Sequence, residues 1–181
     1  MQAGDLTSDY FKLFALPVSF DIDDKILAER YRELQRAVHP DRFVNASDAE
    51  RRLSMQLATR VNEGFRTLKD PLARARYLLE LKGVALDDTD TRLDGGFLMQ
   101  QMELRERMDA VKGAVDAGQR LFELRDAICT LEGQLMDELS PLFSDGSPQA
   151  LQRARDVSRK LQFFHRLGEE LAQLEDELAM S

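Results

Sequence analysis

Residues 27–41 read Leu27-Ala28-Glu29-Arg30-Tyr31-Arg32-Glu33-Leu34-Gln35-Arg36-Ala37-Val38-His39-Pro40-Asp41. Leu27, Tyr31, Leu34 and Val38 recur at spacings of 4, 3 and 4, so they share one face of a helix, and that face is the buried one. The acidic cluster Asp21 to Asp24 precedes them, where negative charge favours a helix N-terminus. Arg32 and Arg36 lie opposite the stripe, with Glu29 between them and Arg30 on the flank, which gives the solvated face a partly basic character. Pro40 disfavours helical geometry at His39 and ends the pattern. The next periodic segment, from about Ser47 to Lys69, repeats Leu53, Leu57, Val61, Phe65 and Leu68, the spacing of a helix pressed antiparallel on its predecessor. The stretch thus predicts a helical hairpin with His39-Pro40-Asp41 in its loop.

Working outward, a short apolar helix over roughly Ser8 to Ala15 carries Tyr10, Phe11, Leu13 and Phe14 and stops at Pro17. On the other side Asp70 has the chemistry of an N-cap and Pro71 that of a first helical residue. They open a helix with Leu72, Ala75, Leu78 and Leu79 that ends at Gly83. Three longer helices follow. The first, near Asp94 to Val115, has a seam of Phe97, Gln101, Leu104, Met108, Val111 and Val115. The second, near Arg120 to Leu142, has Leu121, Leu124, Ile128, Leu131, Leu135 and Leu139. The third, near Gln149 to Leu178, has Val157, Leu161, Phe164, Leu167, Leu171, Leu174 and Leu178. An antiparallel three-helix bundle buries three such stripes most simply. The expected fold class is therefore all-α, a helical hairpin with short flanking helices followed by a bundle. Composition agrees: among 181 residues there are only 10 Gly and 5 Pro, no Trp and 3 Tyr, a profile that favours long helices over sandwiches or barrels.

The net charge of −8 is unevenly spread. Residues 1–82 carry 14 Lys and Arg against 13 Asp and Glu, whereas residues 83–181 carry 11 against 20. The break coincides with Gly83 and the acidic stretch Asp87, Asp88 and Asp90, so a boundary is expected there, with modules at 1–82 and 94–181 and a linker at 83–93. Net negative charge opposes nonspecific attachment to nucleic acid or an anionic membrane, and no partner of either kind is expected. No basic segment leads into an apolar run at the N-terminus, and no run of 18 apolar residues occurs. With a single cysteine, Cys129, the chain suits a reducing, cytoplasmic home. Cys129 sits beside Ile128 in an apolar stripe and reads as a small core residue more readily than as a reactive thiol.

Catalysis fails on inventory. The histidines are His39 and His165, and no Gly-rich phosphate loop, nucleophile triad or metal-ligand spacing can be assembled. No catalytic residue, metal or cofactor is expected.

Average composition would produce His-Pro-Asp by chance in roughly one chain in a hundred of this size, so the tripeptide gains its meaning from its setting. It follows a helix displaying Arg32 and Arg36 and precedes one ending in Val61-Asn62-Glu63-Gly64-Phe65-Arg66-Thr67-Leu68. In this setting residues 1–82 resemble the J-domain, the module by which co-chaperones activate Hsp70 ATPases. The likeness continues through Ser8-Asp9-Tyr10-Phe11-Lys12-Leu13-Phe14-Ala15-Leu16-Pro17, the run from Pro71 to Gly83, and Phe97-Leu98-Met99-Gln100-Gln101-Met102-Glu103-Leu104-Arg105-Glu106. Together these segments resemble the HscB family of iron-sulfur cluster co-chaperones, over nearly the whole chain. The resemblance implies that the J-domain stimulates a dedicated Hsp70 through His39, Pro40 and Asp41, with Arg32 and Arg36 docking on an acidic surface. It also implies that the C-terminal bundle holds the scaffold protein on which clusters are assembled.

Several features depart from the general pattern. Gln35, Ala37 and Val38 make the approach to His39 less basic than in many J-domains, which suits a specialised Hsp70. No Gly/Phe-rich linker or Cys-rich zinc repeat follows, and the tetracysteine extension of some eukaryotic relatives is missing, so the bacterial type is the closer likeness.

The C-terminal module offers its own sign of a partner. With the seam of its first helix turned inward, Leu98, Met99 and Met102 fall on the far side beside Glu103 and Glu106. Phe163 lies about a hundred degrees from Phe164 and is expected to present an exposed aromatic near that surface. An apolar patch rimmed by carboxylates suits a protein partner. The family resemblance assigns Leu98, Met99, Met102, Glu103, Glu106 and Phe163 to scaffold contact, while Ala110 stands where a further acidic contact is expected. Three other readings stay open. The apolar residues could pack on the first module or the linker, Arg32 and Arg36 could be neutralised by Glu29 and Glu33, and the patch could join copies of this chain in a homo-oligomer. A monomer is the expected state.

Overall fold

The computed structural model describes residues 8–43, 46–86 and 95–180. It divides into two compact units, Met1–Gly83 and Val84–Ser181. The described residues form seven α-helices and one 3-10 turn and contain no strand, so the fold is all-α. Asp87, Asp88, Asp90 and Asp94 lie outside the described residues.

In the first unit, α1 (Tyr10–Leu13) is a single turn whose N-cap Asp9 accepts a hydrogen bond from the Lys12 amide. α2 (Asp24–Val38) and α3 (Asp48–Lys69) make the hairpin, joined by a 3-10 turn at Pro40–Phe43. Asp23 caps α2 by accepting from the amides of Lys25 and Ile26. Ser47 opens α3 with a reciprocal capping box to Glu50, which satisfies two of the amides a helix start leaves without partners. α4 (Pro71–Leu81) starts as its sequence predicts, with Asp70 accepting from Ala73 and Pro71 in the first turn. The Arg74 guanidinium, buried beside α3, donates to the Leu68 carbonyl at 2.6 Å and ties the two helices together.

Gly64 explains how so short a helix as α1 is held. A Cβ at this position would lie 2.8 Å from Tyr10 Cδ1 and 2.9 Å from Phe14 Cε2, so the missing side chain is the socket into which α1 fits. Phe11 and Phe14 are fully buried, and the Tyr10 amide donates to the Tyr77 hydroxyl at 2.9 Å. One turn of helix is too short to be stable by itself. It is stabilised by the aromatic burial around it.

In the second unit, α5 (Gly95–Asp109), α6 (Ala117–Asp145) and α7 (Pro148–Ala179) form the expected bundle. Their shared core contains Phe97, Leu104, Val111, Leu121, Leu124, Ile128, Phe164, Leu167, Leu171 and Leu174. α6 and α7 are antiparallel neighbours joined by Gly146 and Ser147: Glu138 pairs with Arg153 near the connection, and Arg125 with Glu175 far from it. Gly146, at a φ of +64°, supplies the left-handed cap of α6, and its amide donates to Leu142.

Three readings of this unit need correction. α5 stops at Asp109 rather than running to Val115, because the chain turns around Gly113 at a φ of +80°. Val111 is still buried, but from the turn, and Val115 is fully exposed. Cys129 is exposed as well, since one step along a helix carries a residue about 100° away from the buried Ile128. Phe163 is partly buried instead. Its ring packs edge-on against Phe97 at 5.6 Å and Phe164 at 5.5 Å, because the α5–α7 seam is wide enough to take two adjacent aromatics.

Candidate functional site

The first candidate site is the tip of the hairpin and the outer face of α2. His39 caps α2 in an extended conformation, φ −60° and ψ 133°, the geometry that a following proline favours. Pro40 and Asp41 begin the 3-10 turn. The side chains of His39 and Asp41 are both exposed, and the Asp41 amide donates to His39 Nδ1 at 3.3 Å. That contact uses Nδ1 as an acceptor, so the neutral ring carries its proton on Nε2. Asp41 Oδ2 also lies 3.5 Å from Nδ1, near enough to attract the ring once it is protonated.

Glu29, Arg32, Glu33, Gln35, Arg36 and His39 line one shallow concavity along α2. Among the described residues Glu29 and Glu33 do not neutralise Arg32 and Arg36. Glu33 is taken by Arg30 at 3.1 Å. Arg32 and Arg36 instead donate through Nε to the carbonyls of Ala28 and Arg32 on their own helix, at 3.2 and 3.3 Å. Among the described residues neither joins an ion pair, so both keep their charge available to a partner.

Behind this face the hairpin is fixed by contacts that periodicity does not reveal. Tyr31 stacks on Phe65 with ring centroids 3.9 Å apart, and its hydroxyl donates to Asn62 Oδ1 at 3.0 Å. Gln35 Nε2 donates to the same oxygen at 3.1 Å, so Asn62 joins α3 to two residues of α2.

The second candidate site is the outer face of α5. Leu98 is 55% exposed, Met99 74% and Met102 57%, in a unit whose core is complete without them. At 100° per residue, Leu98, Met102, Glu106, Met99 and Glu103 fall within an arc of about 140°, opposite Phe97 and Leu104. Glu103 and Glu106 are exposed on the same arc. Phe163 sits where α7 meets Phe97, the residue before Leu98 in sequence, with the Arg105 guanidinium 5.8 Å above its ring. Arg105 in turn pairs with Glu170. Ala110 is exposed just beyond the end of α5.

Among the described residues no three His, Cys, Asp or Glu side chains are placed to hold a metal ion, and no helix is long and apolar enough to cross a membrane. Both sites are surfaces that suit contact with other proteins.

Comparison with known proteins agrees in sequence and in fold. Residues 93–172 match a family model described as the HSCB C-terminal oligomerisation domain. A protein named co-chaperone protein HscB homolog, from Shewanella halifaxensis strain HAW-EB4, is 47% identical over 172 residues, covering 94% of this chain and 98% of its own. A homolog of the same name from Shewanella baltica strain OS195 is 44% identical over 171 residues, with the same coverage of each chain. Among solved structures, the chaperone HscB from Vibrio cholerae superposes with a TM-score of 0.84 at 35% identity, over 94% of this chain and 99% of that one. The human co-chaperone protein HscB gives 0.87 at 31% identity, over 97% and 86%. With relatives this similar over nearly its whole length, the chain belongs to the HscB family of co-chaperones.

Proposed function

We propose that this co-chaperone serves iron-sulfur cluster assembly by bringing a cluster scaffold protein to a dedicated Hsp70 and stimulating that chaperone's ATPase. The observation that carries this reading is the hairpin tip: exposed His39 and Asp41 at the end of a helix whose Arg32 and Arg36 join no ion pair among the described residues. A cationic helix face speeds encounter with an acidic partner, and a stiff loop at its end can bind one state of that partner better than another. His39, Pro40, Asp41, Arg32 and Arg36 form the Hsp70 contact. Leu98, Met99, Met102, Glu103, Glu106 and Phe163 form the scaffold contact, in which the apolar trio supplies burial and the carboxylates select for basic groups. The mechanism is coupling of two binding events, with no covalent step on this chain.

The test is the ATPase rate of the Hsp70 measured with scaffold alone, with this chain alone, and with both. The rate is expected to rise more with both than the two separate effects together. Purely additive rates would contradict the coupling.

The exposed apolar trio also favours a homo-oligomer as a second reading. Light scattering separates the two. A concentration-dependent dimer lost on combining Leu98→Ala with Phe163→Ala, in a chain that binds no scaffold, would replace the scaffold reading with self-association.

A further inference from the structure

Thr59, Ser158 and Ser54 each donate from a helix interior to a backbone carbonyl. Thr59 donates to Met55 at 3.1 Å and Ser158 to Ala154 at 2.8 Å, both four residues back on their own helix, which is the usual local alternative for Ser and Thr. Ser54 does otherwise. Its Oγ reaches across the hairpin from α3 and donates to the carbonyl of Val38 at 2.8 Å. Both residues are about 3% exposed, so the contact is buried.

The position of that carbonyl matters. Val38 is the last residue of α2, and the final carbonyls of a helix have no partner within it. His39 already leaves helical geometry, and Pro40 has no N–H to offer. The peptide whose oxygen Ser54 holds is the one that joins Val38 to His39, so its orientation sets where the His39 backbone begins. Ala37, Val38, Phe43, Glu50, Leu53, Ser54 and Leu57 line one pocket at this end of the hairpin. Among the described residues, the loop also holds the Asp41 amide against His39 Nδ1 and the Ala46 amide against the Phe43 carbonyl at 3.0 Å.

We propose that Ser54 is a positioning residue for the His39-Pro40-Asp41 loop: its hydroxyl clamps the Val38–His39 peptide and so presents the loop to the Hsp70 in one orientation. This rests on the reading of that loop as the Hsp70 contact. A buried carbonyl without a donor is costly, so the unclamped peptide rotates or admits water, and the loop becomes an ensemble. A partner that needs one member of an ensemble binds more weakly in proportion to that member's population.

The experiment titrates full-length wild type, Ser54→Ala, Ser54→Thr, His39→Gln and Leu78→Ala into an Hsp70 ATPase assay, at a temperature where circular dichroism shows all five folded. Leu78 is buried in α4 and controls for destabilisation of the same unit away from the loop. Amide hydrogen exchange at Asp41 is followed in parallel. For Ser54→Ala the half-saturating concentration is expected to rise about 5- to 30-fold, the shift a lost buried hydrogen bond of this kind supports. Asp41 exchange accelerates, Ser54→Thr restores both towards wild type, and Leu78→Ala changes neither. If His39→Gln abolishes stimulation while Ser54→Ala behaves as wild type or as Leu78→Ala, the positioning role is overturned and the loop reading stands. If His39→Gln leaves stimulation intact, the loop reading falls and takes the positioning role with it.

Discussion

Replacing Gly64 by alanine puts the packing of the first unit to a direct test. The added Cβ would meet Tyr10 Cδ1 at 2.8 Å and Phe14 Cε2 at 2.9 Å, whereas carbon atoms in good contact stand about 3.5–4.0 Å apart. Two rings must therefore move by roughly 0.7 Å or more at once. Phe14 is 1% exposed, and Tyr10 is held by the hydrogen bond its backbone amide donates to the Tyr77 hydroxyl and by Arg60 over its ring. Overpacking of this kind costs about 1–3 kcal/mol, against which alanine regains about 1 kcal/mol of helix propensity. The net expectation is a loss of about 1 kcal/mol, felt in the first unit alone. All three tyrosines, Tyr10, Tyr31 and Tyr77, lie in that unit and the chain has no tryptophan, so tyrosine fluorescence reports its unfolding selectively. With a denaturant slope of about 2 kcal/mol/M, the urea midpoint should fall by about 0.5 M. An unchanged or higher midpoint would refute the idea that α1 is seated on the missing side chain.

Other expectations follow from the same structure. Ala15 is the one non-glycine among the described residues with a positive φ, at 52°, and Ala15→Gly should raise the tyrosine-monitored midpoint by the equivalent of about 0.5–1 kcal/mol, because the left-handed region costs an L-residue about 1–2 kcal/mol. The hydroxyl and amide of Ser47 hold the Glu50 carboxyl below its ordinary pKa. A lowered folded-state pKa means stability that is fully present above the ordinary glutamate range and lost as pH falls through the lowered value, so NMR should show α3 fraying from its N-terminus in that window. A Glu50 titration at or above the ordinary glutamate value would contradict this. Met99→Ala and Met102→Ala should change stability by no more than about 0.5 kcal/mol while weakening scaffold association at least tenfold in calorimetry. Equal loss of stability and binding would place these side chains in the core instead.

Much of this architecture was legible because the chain marks its helices locally. Asp70-Pro71 announces α4, Ser47 announces α3, and the stripes from Leu27 to Val38 and from Leu53 to Leu68 name the buried faces of the hairpin. Periodicity failed where the chain turns without a proline. Val111 and Val115 continue the α5 stripe on paper, but the left-handed turn at Gly113 sends one inward and the other into solvent. Phe163 departs from expectation because a helical wheel carries no information about how wide a neighbouring seam is, and Cys129 because one step from Ile128 turns it about 100° out of the buried stripe. The contacts of Ser54 and Gly64 join residues distant in sequence and show only once the helices are packed. For the exposed trio on α5, the wheel sufficed: residues opposite a complete core stripe have nowhere else to go.

The central claim is that the hairpin tip acts on an Hsp70, and the most direct measurement compares wild type with His39→Gln in stimulating that chaperone's steady-state ATPase, scaffold present. His39 is exposed and its substitution leaves the core untouched, so circular dichroism and scaffold affinity should match wild type. The account predicts that stimulation falls to the basal rate. Undiminished stimulation by a folded, scaffold-binding His39→Gln chain would contradict it.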